Sequence, residues 1–495
     1  MLIIKNSTLS NGKDTLLPIE FDKRLATARN IHTFRDFILI PGLSEIEPAE
    51  VDISSRITSN LNLNIPLVSS PMDTVTEEDM SISLSRQGGI GIIHRNMTVE
   101  EQVDIVRKVK RAESFVIRDV VTATPDVKVS EAIDLMSNHN VSGLPVVEGE
   151  KLIGIVTKRD VNFADPYCEL SIVMTPEVVS AKSDVTIDQA KKTMHKHRIE
   201  KLPVVDDSNK LIGLITVKDI YSRDKYSLAS RDKEGRLLVG ASVSPFDLER
   251  AKALDKYVDV LVSDVAHFHN TNVLREANKI VKETSVDFVI GNIGTDIAME
   301  DVISKLHRFE GVRAGVGSGS ICVTSEVTKS GAPTLFAVAQ IAMTLQKHGL
   351  DVPIIADGGI RSSGDACLAL AVGASSIMMG NVFAGCTESP GSLIKIGGKY
   401  YKQYRGMGSE ASRSKLHALD RYSPVGKMIV EGVEGVVPYR GDIATVVKEF
   451  EGGMRASFGY SGAKNVRDLW NKATLGSVTS SGVEELKPHD IILPG

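Results

Sequence analysis

Cys322 is the residue of this sequence best suited to covalent chemistry. It lies in the segment GVGSGSICVT (315–324), whose glycines and serines cannot pack a hydrophobic core. A lone cysteine is often a small buried apolar residue, but a glycine-rich loop is exposed and offers backbone N–H dipoles that favour the nucleophilic thiolate. Thr324 could exchange a proton at the same centre, although a loop threonine more often bonds to nearby backbone. The segment therefore predicts a cysteine nucleophile.

Other glycine-rich segments have the composition of a phosphate site. ADGGIRSSGD (356–365) and MMGN (378–381) come at the ends of apolar runs, and Gly319 with Ser320 supplies further donors. Glycine lets backbone N–H groups approach an anion closely, and the N-terminus of a following helix adds positive potential. One Gly-Gly pair alone more often marks a tight turn. Three such segments at one place predict a phosphorylated substrate.

The elements that must position these segments are short apolar runs alternating with helical stretches. Buried parallel strands read as continuous apolar runs because helices cover both faces of their sheet. Eight such runs predict a (β/α)8 TIM barrel, which builds its active site at the C-terminal ends of its strands. The runs are IPLVSS (65–70), GGIGIIH (88–94), RLLVGASV (236–243), VDVLVSDVAH (258–267), DFVIGNIG (287–294), GVRAGVGSG (311–319), PIIADGG (353–359) and SSIMMGNV (375–382).

A repeat interrupts this pattern after the second run. LPVVEGEKLIGIVTKRD (144–160) returns as LPVVDDSNKLIGLITVKD (202–219), and a helical segment precedes each copy. Each copy is predicted to be a β-α-β-β unit. The predicted organisation is therefore a first part of the barrel (1–114), an inserted tandem pair (115–225) and the rest of the barrel (226–495).

The inserted pair closely resembles a tandem pair of CBS modules, also called a Bateman domain. In that family the Thr and Asp that end each unit contact the ribose of adenine or guanine nucleotides. The resemblance implies such regulatory contacts for Thr157 with Asp160 and for Thr216 with Asp219. The alternative is a spacer or oligomerisation element that binds nothing, because a fold alone does not determine function.

Length and composition narrow the class of protein. A chain of 495 residues with 42% hydrophobic and 24% charged residues is globular, with two to four domains. A formal charge of −5 leaves no basic excess for nucleic acid or an anionic membrane. No signal-peptide core and no apolar stretch of about 18 residues occurs, so we expect a cytoplasmic protein. Cys168, Cys367 and Cys386 have no CxxC spacing and are expected to be packing residues.

Motifs spread along nearly the whole chain resemble those of the inosine-5′-monophosphate (IMP) dehydrogenase family. They are SSPMDTVTE (69–77), GGIGIIHRNM (88–97), GSGSICVT (317–324), IADGGI (355–360), MMGN (378–381), YRGMGS (404–409), DRY (420–422) and EGVEG (431–435). The resemblance implies NAD-dependent oxidation of IMP to xanthosine 5′-monophosphate, a step of guanine nucleotide biosynthesis. Cys322 would attack C2 of the purine, a hydride would leave for NAD+, and water would hydrolyse the covalent thioimidate with help from Thr324, Arg421 and Tyr422.

The same resemblance implies which residues bind the two substrates. Asp264, Gly315 and Gly317 would contact NAD. The phosphate, ribose and purine of IMP would be held by Ser70, Met72, Asn292, Arg313, Ser320, Asp357, Gly359, Gly380, Asn381, Tyr404, Met407, Gly408 and Glu431. Members of the family form tetramers or octamers, so a homotetramer or octamer is expected here.

One departure from the family concerns a monovalent cation. The resemblance implies K+ binding by the carbonyls of Gly317, Gly319 and Cys322, completed by a C-terminal segment of a neighbouring subunit. In this chain that segment carries Leu486 and Lys487 where many relatives have Ser and His. An ammonium group there could take the cation's place, so dependence on K+ is doubtful.

Two other functions remain open. A GMP reductase would share the barrel, the cysteine and the phosphate site but would use NADPH and release ammonia. GMP reductases lack the Arg-Tyr pair that helps water to hydrolyse the thioimidate, so Arg421 and Tyr422 favour the dehydrogenase. The other alternative is a catalytically silent nucleotide sensor built around the repeat, and the presence of Cys322 and Thr324 argues against it.

Overall fold

A closed barrel of eight parallel strands dominates the computed structural model, which describes residues 27–112, 116–118, 120–139, 141–409, 412 and 432–488. Each strand pairs with the next along the chain, and β8 pairs with β1, where Met378 faces Val68. The predicted (β/α)8 TIM barrel is therefore confirmed. Its strands are β1 (Leu67–Ser69), β2 (Ile90–Ile93), β3 (Val239–Val243), β4 (Val260–Ser263), β5 (Asp287–Ile293), β6 (Gly311–Ala314), β7 (Ile354–Asp357) and β8 (Ser376–Met379).

A ring of helices covers the barrel. The helices are amphipathic; in the helix after β4, for example, Val273, Ala277 and Ile280 recur at helical spacing and are buried. The last helix of the ring packs against both the seventh and the first, which closes the ring. The helices are α1 (Glu78–Arg86), α2 (Val99–Ala112), α3 (Leu248–Asp255), α4 (Thr271–Glu283), α5 (Asp296–Lys305), α6 (Thr334–Lys347), α7 (Ser363–Ala371) and α8 (Ile443–Tyr460).

The inside of the barrel is a packed apolar core. Alternate residues of β2 divide between two cores, since Ile90 and Ile92 point inward while Ile93 packs against the helices. A small hairpin, Ser55–Arg56 with Asn62–Leu63, contributes Ile57 and Leu63 to the inner core. The N-terminal end of the barrel is thereby filled.

The insert between α2 and β3 contains two similar units. The first has a helix (Val129–Asn138), a hairpin (Gly143–Glu148 with Lys151–Thr157) and a short helix (Lys158–Val161). The second repeats this order with Ile187–His197, Lys201–Val205 with Leu211–Thr216, and Val217–Lys225. Each unit has its own hydrophobic cluster. The helix and hairpin of both copies agree with the repeat, while their assignment as CBS modules and the limits 115 and 225 stay predictions.

A buried lysine joins the barrel elements that flank the insert. Nζ of Lys110, in the last turn of α2, lies 2.6 Å from Oδ2 of Asp259 and 2.9 Å from Oδ2 of Asp232. Burial raises the pKa of Asp259 despite the lysine. Burial also acts to raise the pKa of Asp232, but the charge and hydrogen bond of Lys110 outweigh it and lower that pKa.

Two further sheets flank the barrel. Leu393–Ile396, Lys399–Arg405 and Glu434–Pro438 form an antiparallel sheet after β8. Phe37–Ile40 pairs with Thr474–Ser477 and ties the start of the described chain to its end. Within the described ranges, none of the helices has the length and apolar character needed to cross a membrane.

Candidate active site

A pocket opens at the C-terminal end of the barrel, between the loops that follow its strands. It holds about 1060 Å³ of empty space, which includes the solvent at its open mouth. The structure brings together most of the residues that the sequence predicted for the site. Those that line the pocket are Ser70, Met72, Asn292, Arg313, Gly315, Gly317, Gly319, Ser320, Cys322, Thr324, Asp357, Gly359, Gly380, Asn381, Tyr404 and Met407.

Cys322 lies in the loop after β6 and is partly exposed in the pocket. Its Sγ lies 3.2 Å from Oγ1 of Thr324, within hydrogen-bonding reach for sulfur. Its backbone N–H donates to the carbonyl of Gly319 at 3.1 Å, which closes a turn in the Gly-Ser run. The carbonyl of Ile321 accepts from the N–H of Val433 at 3.2 Å, so the loop is also held from outside. The sulfur is thus presented to the pocket beside a hydroxyl group.

Two other cysteines have the environment of packing residues, as predicted. Cys367 in α7 and Cys386 are both fully buried. Burial raises the pKa of the Cys367 thiol to about 11 and that of Cys386 to about 12. Both therefore remain protonated at neutral pH and are poor nucleophiles.

A chain of three polar side chains crosses the pocket floor. Nε of Arg313 in β6 donates to Oδ1 of Asn292 at 2.6 Å, and Nδ2 of Asn292 donates to Oδ2 of Asp357 at 2.8 Å. Asp357, at the end of β7, is 21% exposed while Arg313 is almost fully buried. The carboxylate is therefore held in one orientation with accepting capacity left for a ligand, as a ribose cis-diol would require.

Hydroxyl groups tie the cysteine loop to the glycine-rich loop after β7. Oγ of Ser318 lies 2.8 Å from Oγ1 of Thr334 and 3.2 Å from the carbonyl of Asp357. Gly358 and Gly359 have φ of 95° and 77°, the left-handed region that suits glycine. Sequence reasoning missed Ser318 and Thr334, because their contacts join segments far apart in the chain.

Tyr404 brings three loops together. Burial raises the pKa of its phenol to about 12, against the opposing effect of a hydrogen bond with Ser320, so the phenol stays protonated. Its hydroxyl lies 3.8 Å from Sδ of Met72. A Cβ at Gly380 would stand 2.9 Å from that hydroxyl and 3.0 Å from the same sulfur, so a larger residue there would have to displace Tyr404 or Met72. The loops after β1, β6 and β8 meet at this tyrosine.

Asp264 lies behind the pocket. Its side chain is 0% exposed, and its Oδ2 accepts from Nε of Arg95 at 3.2 Å. Arg95 Nη2 also donates to the backbone carbonyl of Asp264 at 3.1 Å, and Nη2 of Arg313 stands 3.6 Å from Oδ1. In this conformation Asp264 orients two buried arginines, and its predicted contact with NAD stays a prediction. Arg95 was missed, although it lies in the motif GGIGIIHRNM.

The remaining predicted residues lie outside the pocket lining or outside the described part of the chain. Gly408 packs beside Gly432. Arg421, Tyr422 and Glu431 fall outside the described residues.

The predicted nucleotide contacts of the insert are at the ends of the second strand of each unit. Oδ2 of Asp160 accepts from the backbone N–H of Thr157 at 2.8 Å and from its hydroxyl at 2.7 Å. Thr216 ends the corresponding strand of the second unit. The side chain of Asp219 falls outside the described part of the structure.

The carbonyls predicted to hold K+ already accept hydrogen bonds within their loop. Gly319 O accepts from Cys322 N, as above, and Gly317 O accepts from Oγ of Ser325 at 3.2 Å. A carbonyl has a second lone pair, so both could still face a cation. Leu486 and Lys487 are exposed, and Nζ of Lys487 lies 2.7 Å from Oε1 of Glu484 in the same chain.

Sequence reasoning also missed a buried polar network beside the pocket. It consists of Asp73, Asn96 and Arg405. These residues lie inside the motifs SSPMDTVTE, GGIGIIHRNM and YRGMGS, of which other residues were predicted to form the site. The signal was available, because a charged or amide side chain within a buried segment requires a partner.

Comparisons with known proteins agree with this geometry. Residues 31–489 match the family model described as the IMP dehydrogenase / GMP reductase domain. The inosine-5′-monophosphate dehydrogenase of Korarchaeum cryptofilum is 53% identical over 93% of this chain and 96% of its own length. That of Methanocaldococcus jannaschii is 47% identical over 96% of this chain and 98% of its own. The crystal structure of a Trypanosoma brucei GMP reductase variant with guanosine 5′-monophosphate has a TM-score of 0.86 and 34% identity, covering 95% of this chain and 100% of that one.

Proposed function

Because this chain belongs to the IMP dehydrogenase / GMP reductase family and is an oxidoreductase of the IMP dehydrogenase type, we propose that it oxidises IMP to xanthosine 5′-monophosphate with NAD+ as hydride acceptor. The observation that carries the proposal is the 3.2 Å contact between Cys322 Sγ and Thr324 Oγ1 inside a pocket that also contains Asp357 and the glycine-rich loops. That arrangement suits nucleophilic attack on a bound nucleotide.

The substrate is held through its phosphate and ribose in this proposal. Asp357 accepts both hydroxyls of the ribose diol, and its orientation by Asn292 supports the role. The backbone N–H groups of Gly359 and Gly380 and the hydroxyl of Tyr404 surround the phosphate, and Ser320 and Asn381 add donors at the same edge. The purine packs against Ser70, Met72 and Met407, with Gly408 and Glu431 completing its contacts.

The first chemical step forms a bond between Cys322 Sγ and C2 of the hypoxanthine ring. The hydride on C2 leaves with its electron pair, which makes the adduct a thioimidate. Gly315, Gly317 and Asp264 are the proposed contacts of NAD+, which when bound would supply the acceptor for that hydride. Arg313 orients Asp357 through Asn292 and also stands beside Asp264, so one buried cation serves both sides of the pocket.

The second step is hydrolysis of the thioimidate. Water adds to C2, its proton is removed, and the C–S bond breaks to restore the Cys322 thiolate and release the product. The hydroxyl of Thr324 lies close enough to Sγ to take part in this proton transfer. The roles of Arg421 and Tyr422 in activating water rest on the family resemblance.

The test is production of NADH from IMP and NAD+, followed by the absorbance of the reduced nicotinamide. We expect activity in the native chain and none in a Cys322→Ala variant, while Cys386→Ala, which removes a buried thiol, should remain active. Absence of NADH with the native chain would reject the proposal.

GMP reductase is the second candidate, because the solved structures most similar to this chain include GMP reductases of Trypanosoma brucei. Consumption of NADPH with GMP, in the absence of any NADH production from IMP, would favour that activity. The higher identity to named IMP dehydrogenases, 53% against 34%, supports the dehydrogenase. The silent sensor would show neither activity.

We further propose that activity depends little on K+. Lys487 can supply a positive charge from a neighbouring subunit toward the carbonyls of Gly317, Gly319 and Cys322, and Leu486 beside it lacks the hydroxyl oxygen that a cation would bind. The expected result is equal activity in sodium-free, potassium-free buffer and in buffer with K+. Strong activation by K+ would contradict this.

The insert is proposed to bind an adenine or guanine nucleotide through Thr157 with Asp160 and Thr216 with Asp219. The observation that supports this is the capped Thr157–Asp160 turn. A Trypanosoma brucei GMP reductase that is 32% identical to this chain has been solved with guanosine 5′-triphosphate, which makes GTP one of the nucleotides to test. Titration of the whole protein with ATP, GTP and AMP by calorimetry should detect binding that weakens in Asp160→Asn. No heat with any of them would favour a spacer or assembly role.

A further inference from the structure

A buried ion pair joins the loop after β1 to the strand Lys399–Arg405. Nε of Arg405 donates to Oδ1 of Asp73 at 3.0 Å, and Nη2 donates to Oδ2 at 2.6 Å. The side chain of Asp73 is 0% exposed and that of Arg405 is 16% exposed. A forked pair of charge-assisted bonds fixes orientation as well as distance. The backbone N–H of Arg405 adds a further link to Oγ1 of Thr74 at 3.2 Å.

The pair stands directly behind two pocket residues. Asp73 follows Met72 in the chain, and Arg405 follows Tyr404. Met72 and Tyr404 line the pocket and touch each other through the 3.8 Å contact between hydroxyl and sulfur. Neither Asp73 nor Arg405 is part of the pocket lining. Any effect of the pair on a ligand must therefore pass through these neighbours.

A buried asparagine orients Asp73 from the side of β2. Nδ2 of Asn96 donates to Oδ2 of Asp73 at 2.9 Å and lies 3.1 Å from the carbonyl of Ser412. The backbone N–H of Asn96 donates to Nδ1 of His94 at 3.1 Å, so the proton of a neutral imidazole is on Nε2, which donates to Oε1 of Glu77 at 3.1 Å. The carboxylate is thus held from two directions.

The lowered pKa of Asp73 indicates that its carboxylate remains charged. Burial alone would raise the pKa of Asp73, but the hydrogen bonds and charge of Arg405, together with the bond from Asn96, lower it below its ordinary value. The same partner raises the pKa of Arg405. Both groups are ionised at neutral pH, and removing one charge would leave the other without its counter-ion in a buried place.

We propose that Asp73 and Arg405 are positioning residues whose ion pair holds Met72 and Tyr404 at the separation that the nucleotide substrate requires. The proposal deepens the proposed function and rests on it. Met72 and Tyr404 contact parts of the substrate that do not react. Their displacement therefore weakens binding of the ground state and of the transition state by the same amount. Such a loss raises KM and leaves kcat nearly unchanged.

The test compares Asp73→Asn and Arg405→Lys with the native chain. The asparagine keeps the shape of the carboxylate without its charge, and the lysine keeps the charge without the forked geometry. The matched control is Asp351→Asn, which removes an exposed Asp–Arg pair in which Arg56 Nη2 stands 2.6 Å from Asp351 Oδ1. We expect KM for IMP and its Kd measured by calorimetry to rise about tenfold or more in both variants, with kcat within about threefold. The control should change neither constant.

The outcomes separate the two claims. A native chain that makes no NADH from IMP contradicts the proposed function, whereas native activity with unchanged KM and Kd in folded variants overturns the positioning role alone. Circular dichroism and melting curves establish folding. If Asp73→Asn does not fold, Arg405→Lys decides. If neither variant folds, the pair is structural and the proposal is overturned.

Discussion

The hydroxyl of Thr324 lies beside the sulfur that reacts in the proposed mechanism. Replacing it by valine keeps the shape but removes the proton carrier 3.2 Å from Cys322 Sγ. We expect kcat for Thr324→Val to fall by about 10²-fold or more, because a positioned acid or base typically contributes that much. A pre-steady-state burst of NADH should persist if the threonine acts mainly in hydrolysis.

The control for this variant lies one turn along the same short helix. Thr328 donates from its hydroxyl to the carbonyl of Thr324 at 2.7 Å and is exposed. Thr328→Val should retain nearly full kcat in the same stopped-flow assay. Equal losses in the two variants would point to disturbance of the helix rather than to proton transfer.

At the residue scale, the sequence located the reacting groups but not their orientation. The Gly-Ser run around Cys322 and the glycines near Asp357 are visible in local composition, and several such segments at strand ends together indicate a site. The sequence predicted that Asp264 contacts NAD, yet its conformation depends on Arg95, which follows β2, and on Arg313 in β6. Contacts of that kind depend on the closure of the barrel and leave no periodic signal in the chain.

At the element scale, the cluster of Lys110, Asp232 and Asp259 joins the barrel elements that flank the insert. Lys110→Met would leave Asp259 buried without its counter-ion, while Asp232 would keep Arg236, whose Nε lies 2.8 Å from its Oδ2. We expect a loss of about 3–5 kcal/mol in the free energy of unfolding. The measurement is urea unfolding followed by circular dichroism. Lys108→Met is the matched control, because Lys108 pairs with Asp104 at 3.0 Å on an exposed face of the same helix. A loss no larger than that of the control would show that the cluster does not stabilise the fold.

The barrel strands were predicted correctly because their residues are buried without interruption and read as apolar runs. Each apolar run predicted for the barrel contains its observed strand, as IPLVSS contains Leu67–Ser69. The strand Leu393–Ile396 was missed because its residues are all exposed and show no alternation of apolar and polar faces. The hairpin that fills the barrel bottom was missed as well, because its strands are two residues long. Short or exposed strands are specified by their partners rather than by local pattern.

At the scale of the whole molecule, the predicted nucleophile, carboxylate and glycine loops converge in a pocket of the barrel. The insert lies in the chain between α2 and β3, whereas the pocket is formed by the loops that follow the strands. The insert can therefore vary without changing the catalytic residues. Assembly as a homotetramer or octamer remains a prediction, and light scattering of the intact protein would measure it. Such assembly would bring Lys487 of one chain within reach of the cysteine loop of another.

The central claim is that Cys322 forms a covalent bond with IMP as the hydride leaves. The most direct measurement mixes the protein with IMP and NAD+, stops the reaction with acid within the first turnover, and determines the mass of the peptide that contains Cys322. We predict a purine nucleotide adduct on Cys322 that forms together with the first NADH and is absent from Cys322→Ala. NADH formation from IMP without any adduct on Cys322, or in the alanine variant, would contradict the account.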